Sequence, residues 1–281
     1  MDPFSLVVDA PYLRWAAVLV AIGMVLYAAR GELNWVHMGR QAALVVGAYF
    51  AYFLVRGLTE GSVERAVSNA WHVVDFERGL GIFHEGRMQS LIVDHQWLID
   101  LSNWIYIWGH WPVIATVALW LLIRHESQFM LYRNAFLVSG AIGLVIFATF
   151  PVAPPRLIEL DLVDTVTKHS HSYRVLQPPG LVNQYAAVPS LHFGWNVLIG
   201  IALFRNTRLL PARVFAVVLP VLMAFAIVLT ANHFIIDAVA GAAVALVGLL
   251  IAANWNRLRW RPAFRRNYQP EPRGKTAMSP R

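Results

Sequence analysis

Two histidines and one carboxylate are the residues of this chain best suited to covalent chemistry. His192 stands in Pro189-Ser190-Leu191-His192, and His233 in Asn232-His233-Phe234-Ile235-Ile236-Asp237. Pro189 lacks an N–H and has a fixed φ, so it suits the first turn of a helix, where amides have no intrahelical partner. The amides of Ser190, Leu191 and His192 are then expected to point outward together. Such a helix start attracts anions through its unpaired N–H groups and the positive end of the helix dipole, and phosphate is a common guest. Asp237 lies four residues after His233, a spacing that puts both on one helix face. A carboxylate on one ring nitrogen fixes the tautomer and makes the other nitrogen more basic, which is how a histidine becomes a nucleophile or base. A lone histidine usually does no more than satisfy a buried polar contact. Two of them, one with a carboxylate partner at membrane depth, point to function, because ionisable groups are costly there.

Three further sets of polar residues stand near these two. Arg156 immediately follows an apolar run and is the residue type suited to bidentate phosphate contact, although an arginine there also serves as an interfacial anchor. Lys168, His169, His171 and Arg174 are weaker candidates, because a solvated loop carries such residues for no special reason. Asn103, Tyr106 and His110 recur at intervals of three and four, so they form a polar stripe on one helix face. Facing lipid, that stripe would cost several kcal/mol in unpaired groups. It is therefore expected to line a pocket or to hydrogen-bond between helices.

At these residues the chain resembles the type 2 phosphatidic acid phosphatase (PAP2) superfamily of lipid phosphatases and phosphotransferases. That superfamily's second motif is Pro-Ser-Gly-His and its third ends His-x-x-x-Asp; here they read Pro189-Ser190-Leu191-His192 and His233 to Asp237. The first motif, Lys then six residues then Arg-Pro, is absent: aligning Arg156 with its arginine puts Thr149 at the lysine and Leu157 at the proline. Ala226 and Ile227 occupy the Ser-Arg places of the third motif. Phe150-Pro151-Val152-Ala153-Pro154-Pro155-Arg156 is instead similar to the branch containing inositol phosphorylceramide synthase, as are Asn103 to Tyr106, His110 and Leu191. The resemblance implies that His233 attacks phosphorus to give a phosphohistidine, that Asp237 orients it and that His192 protonates the leaving oxygen. Arg156 and Ser190 then bind the phosphate, no cofactor or metal is needed, and the substrate is a lipid phosphate or phospholipid.

The elements that must position these residues are membrane helices. Of the 281 residues 58% are hydrophobic and 14% charged, and the mean hydropathy is +0.52; soluble domains carry roughly a quarter charged residues. Apolar runs of roughly 20 residues, enough to cross a bilayer, occur at 13–29, 41–58, 101–123, 131–152, 189–204, 214–229 and 234–255. These predict an all-α polytopic bundle of about seven spans, with a catalytic domain over 1–256 and a basic, disordered cytoplasmic tail over 257–281. The first run has Asp2 and Asp9 ahead of it and a single base, Arg14, at its start, so it reads as an uncleaved anchor.

The charges lie unevenly about these spans. Placing alternate connections on opposite sides puts 15 of the 23 bases on one side, Arg30, Arg40, Arg124, Arg133, Arg205, Arg208, Arg213 and eight from Arg257 to Arg281, with only Glu32, Glu126 and Glu271 as acids. The positive-inside rule then sets the C-terminus in the cytoplasm and the two histidines toward the periplasm or exterior. A pI near 10 is thereby accounted for without nucleic acid.

Between the second and third runs, 59–100 is too charged to cross. Phe76, Leu80, Ile82 and Phe83 alternate there with Asp75, Glu77, Arg78, His84 and Glu85, a pattern that suits amphipathic helices on the membrane surface. The basic tail suits contact with anionic lipid. No cysteine is present, so disulfides and thiolate metal sites are excluded, and no nucleotide-binding glycine pattern is evident. A different chemistry uses the same residues: His110, His192, His233 and Asp237 binding zinc to activate water. The Pro-Ser helix start and Arg156 suit an anion and would not help around a dication. A transporter or scaffold is the non-enzymatic alternative.

Overall fold

A computed structural model describes residues 35–58, 62–166 and 183–266. The predicted first span, the loop candidates Lys168, His169, His171 and Arg174, and the tail beyond Arg266 lie outside the described residues. The helices are α1 (Trp35–Leu58), α2 (Val63–Leu80), α3 (Glu85–Ser90), α4 (Gln96–Trp108), α5 (Trp111–Arg124), α6 (Glu126–Thr149), α7 (Leu191–Asn206), α8 (Leu210–Leu229) and α9 (Ile235–Arg266). The all-α architecture agrees with the expectation.

Among the described residues, four helical stretches are long and apolar enough to cross a membrane: Gln96–Arg124, Glu126–Thr149, Leu210–Leu229 and Ile235–Trp255. Their outer faces carry exposed apolar residues, among them Val214, Val221 and Phe225 on α8 and Val239, Leu246 and Leu250 on α9, a surface suited to lipid. The predicted count of about seven spans is not confirmed by these four, the first predicted run lying outside the described residues. Part of the reason is α7, which has 16 residues and at about 1.5 Å per residue is shorter than a hydrocarbon core of about 30 Å. It occupies the centre of the bundle, packed on α8 and α9 and touching α5 and α6.

The predicted continuous span over 101–123 is broken in two. Residues Gly109 and His110 separate α4 from α5, with His110 at φ −109°, ψ −93° and Pro112 in the first turn of α5. Proline removes a donor that a continuous helix would need, so the break falls before it. At the other end of the chain α9 continues past 256 to Arg266, and the predicted boundary between domain and tail falls inside a helix. Extending a helix already nucleated is easier than starting one, and the arginine and leucine residues that follow favour it.

Glycines set the closest contacts. A Cβ on Gly241 would lie 2.1 Å from the Ser190 carbonyl oxygen, and one on Gly194 would lie 2.3 Å from the Gly241 carbonyl oxygen. Small residues thus let the backbones of α7 and α9 meet where the two histidine motifs begin.

The 59–100 segment lies on the bundle with an unexpected face inward. Its buried positions on α2, Ala66, Asn69, Ala70, Val73, Val74 and Glu77, recur at helical spacing, while Phe76 and Leu80 are more than half exposed. Ser62 caps α2 by accepting from the Arg65 amide. Gly81, at φ 71°, ends it with its N–H on the Arg78 carbonyl while Ile82 N–H reaches Glu77 O, the left-handed cap that glycine adopts without a Cβ penalty. That turn reverses the chain and returns Glu85 to the neighbourhood of Glu77. Glu77 and Glu85, two of the charged residues in that alternating pattern, are both fully buried.

Candidate active site

The two motifs come together where α7 and α9 start. Ser190 is the N-cap of α7, its Oγ accepting from the Phe193 amide at 3.5 Å. The Ser190 N–H donates to the Asp237 carbonyl oxygen at 3.0 Å, so it is not available to an anion as expected. Pro189 sits one residue ahead of the cap, after a cis bond from Val188, rather than in the first helical turn. The chain before it is held by Val152, whose N–H donates to Tyr185 O at 2.8 Å while Ala187 N–H donates to Val152 O at 3.2 Å. This short parallel pairing ties the loop after α6 to the entry of α7.

The corner between α8 and α9 is tightly wound. Ala231 has φ 54°, a left-handed conformation that costs a non-glycine residue about 1 kcal/mol or more. The Asn232 and His233 amides both donate to Ile227 O, at 3.2 and 3.0 Å. Asn232 also bonds the Thr230 hydroxyl at 2.8 Å.

His233 is almost wholly buried and its Nδ1 meets two acceptors, the Ala187 carbonyl at 2.8 Å and Asp237 Oδ2 at 3.2 Å. A ring nitrogen between two acceptors carries the proton, so the lone pair of the neutral ring is on Nε2. Asp237 Oδ2 also accepts from the Phe234 amide at 2.9 Å, which fixes the carboxylate that orients the ring. The predicted i, i+4 pair is thus present.

The His192 ring lies 6.3 Å, centroid to centroid, from that of His233. It is sandwiched between Tyr106 at 4.5 Å and His110 at 4.1 Å, both stacked, and His110 stacks in turn on Trp195. The break between α4 and α5 turns His110 into this stack. Asn196, which sequence reasoning left without a role, spans it: its Nδ2 donates to the His192 carbonyl at 2.8 Å and meets His110 Nδ1 at 3.1 Å. Tyr106 and His110 therefore reach the site. Asn103 does not present its amide to a pocket; it exchanges two hydrogen bonds with Thr165, Nδ2 to Thr165 O at 3.0 Å and Oδ1 from Thr165 Oγ1 at 2.9 Å. It ties the loop before residue 166 to α4.

Arg156 is brought beside His233 through its neighbour. Its backbone N–H donates to Ala231 O at 3.1 Å, its Nη1 donates to Asn232 Oδ1, and its Nε lies 3.3 Å from Asp164 Oδ2. Gln89 anchors the same loop, donating to Val163 O at 2.8 Å and Leu229 O at 3.0 Å while accepting from the Val163 amide.

Two carboxyl groups beside the site escaped sequence reasoning. Glu77 Oε1 accepts from the Ile236 amide at 2.7 Å, and Glu85 Oε1 from the Ile235 amide at 3.0 Å. With Asp237 on Phe234, three acids hold the amides that open α9. Burial, then hydrogen bonding to Glu85, pushes the Glu77 carboxyl up to about 9. Among the described residues no three His, Cys, Asp or Glu side chains are placed to share a metal ion.

A family model described as the PAP2 superfamily matches residues 71–251. Among solved structures, the crystal structure of Aquifex aeolicus LpxE is similar over 57% of this chain and 87% of its own, at 15% sequence identity and a TM-score of 0.45. No curated protein matches.

Proposed function

The chain belongs to the PAP2 superfamily, and from that premise we propose that it is a membrane-embedded phosphatase or phosphotransferase working through a phosphohistidine on His233. The observation that carries this reading is the pair of acceptors on His233 Nδ1, which sets the lone pair on Nε2. That nitrogen attacks phosphorus, an N–P bond forms, and the P–O bond to the leaving group breaks as His192 gives a proton to the departing oxygen. In the second step the acceptor's oxygen bonds phosphorus, its proton passes to His192 and the N–P bond breaks. The two rings, 6.3 Å apart centroid to centroid, border one site in which attack on phosphorus and proton transfer to the leaving oxygen can be made on the same phosphate. Arg156 stabilises charge on the equatorial phosphate oxygens; it is already aligned by Asp164 and Asn232.

The substrate of this reading is a lipid phosphate or phosphodiester head group. Water as acceptor gives a phosphatase. A lipid or sugar hydroxyl gives a transferase, which the likeness of residues 150–156 to the inositol phosphorylceramide synthase branch favours. The charge asymmetry of the connections supports a site opening to the periplasm or exterior of the cell membrane. A membrane-impermeant thiol label is then expected to reach a cysteine at Glu159 in intact cells and to miss one at Arg208, and the reverse pattern would overturn that orientation.

The reading is tested on protein reconstituted in phospholipid vesicles that contain a lipid phosphate monoester. Release of inorganic phosphate, or its appearance on an added lipid alcohol, is expected to be blocked by vanadate and unaffected by EDTA. Activity lost in EDTA and restored by zinc would establish the zinc-dependent alternative instead.

A further inference from the structure

The first turn of α9 is held from outside by two side chains of the 59–100 segment. Glu77 and Glu85 are both fully buried, each with one oxygen on an α9 amide. Their other oxygens, Glu77 Oε2 and Glu85 Oε2, have no donor among the described residues, and the two carboxyl groups are in hydrogen-bond contact with one another. Two carboxylates have no proton to offer each other, so a contact of this kind in a dry site needs one proton between them. Among the described residues the charges acting on Glu77 are those of two other acids, Glu85 and Asp237. Asp237, with His233 bonded to it, faces the pair from α9, and Val73 and Val74, buried with Glu77 on α2, belong to an apolar cluster with Val152, Ala153, Ile158 and Phe234.

We propose that Glu77 and Glu85 are positioning residues that share one proton and clamp the first turn of α9, holding Asp237 and His233 in register for reaction. The clamp is built on tertiary contact, since Gly81 turns the chain so that residues eight apart meet. One shared proton leaves a single negative charge, which suits the positive end of α9. Loss of that proton puts two charges beside Asp237 and opens the clamp.

The pH direction follows. Glu77 is raised from 4.5 to about 9, so its contribution to stability is full below about 4.5 and is lost progressively as pH rises to about 9. Thermal stability is therefore expected to fall across that range, and turnover to fall at its alkaline end, where the folded protein loses the shared proton.

This inference rests on the reading of His233 and Asp237 as the reacting pair, and its test separates the two. Thermal unfolding and turnover of the reconstituted protein are followed from pH 5 to 10 in wild type, Glu77→Gln and Glu77→Leu. Gln keeps an oxygen for Ile236 and an N–H for Glu85 but cannot titrate. It is expected to retain turnover near neutrality and to flatten the alkaline loss in both measurements. Leu removes both bonds and is expected to lower kcat about 100-fold, the effect of a misplaced reacting group. An alkaline loss of stability unchanged in Glu77→Gln would overturn the shared proton, and full turnover in Glu77→Leu would overturn the clamp. If the His233 reading alone fails, the stability profile of wild type still bends and that of Glu77→Gln does not.

Discussion

The backbone N–H of Ser190 donates to the carbonyl oxygen of Asp237 at 3.0 Å. This one bond joins the start of α7, which carries His192, to the start of α9, which follows His233 directly, so the backbones that carry the two rings are fixed against each other. It exists because Gly241 has no Cβ to keep the chains apart.

Gly241→Ala is accordingly expected to force α7 and α9 apart, since its Cβ would lie 2.1 Å from Ser190 O and backbone does not yield cheaply. Overpacking of this kind costs about 1–3 kcal/mol, and the accompanying displacement is expected to reduce kcat roughly 100-fold. Gly248→Ala, whose Cβ would lie 2.7 Å from Ala135 O in the same helix but away from the histidines, should destabilise with a smaller effect on turnover. Thermal unfolding in detergent and steady-state kinetics on both variants check this.

Arg156→Lys keeps the charge but loses the fork that reaches Asp164 and Asn232 together. A hydrogen bond to a charged group contributes about 1.5–3 kcal/mol, so KM for a lipid phosphate should rise roughly tenfold or more. Inhibition by vanadate should weaken in parallel. An unchanged KM would remove Arg156 from the phosphate site.

The stack on His192 makes a separate prediction. Replacing His110 by Phe keeps a ring against His192 and should cost less than tenfold in turnover, whereas His110→Ala forfeits a contact of about 0.5–1.5 kcal/mol and frees the His192 ring. Because the effect runs through His192, His110→Ala should add little in a His192→Ala background, a coupling that a double-mutant cycle measures. Additive losses would mean that His110 acts independently.

What the sequence discloses about this site depends on how local each relationship is. The spacing of His233 and Asp237 discloses their contact, although His233 stands in the corner just before α9, and Tyr106 and His110 stand out as polar groups on an apolar segment, although the break before α5 rather than a helix face sets His110. The roles of Glu77 and Glu85 are hidden, because an acid in a charged segment is ordinarily solvated and only the turn at Gly81 and the approach of α9 bury these two. The Ser190 amide was expected to face an anion, but that expectation ignores a second backbone, which spacing along one helix does not reveal. Gly109, His110 and Pro112 do signal a break in the third span, masked by the strong apolarity on both sides. At α7 hydropathy alone proposes a span without disclosing that the helix has 16 residues and lies packed among α5, α6, α8 and α9.

The division of labour between the histidines is tested most directly by trapping the phosphoenzyme. Wild-type protein, quenched during turnover of a nitrophenyl phosphate ester, is expected to carry an acid-labile phosphate. His233→Ala should carry none, since the atom that bonds phosphorus is gone. Asp237→Asn should form it more slowly, keeping the nucleophile but disturbing its tautomer. His192→Ala should still form it from the activated ester, whose leaving group needs no proton, while failing with an unactivated lipid phosphate. Phosphoenzyme in His233→Ala, together with none in His192→Ala on the activated ester, would contradict the account and exchange the two roles.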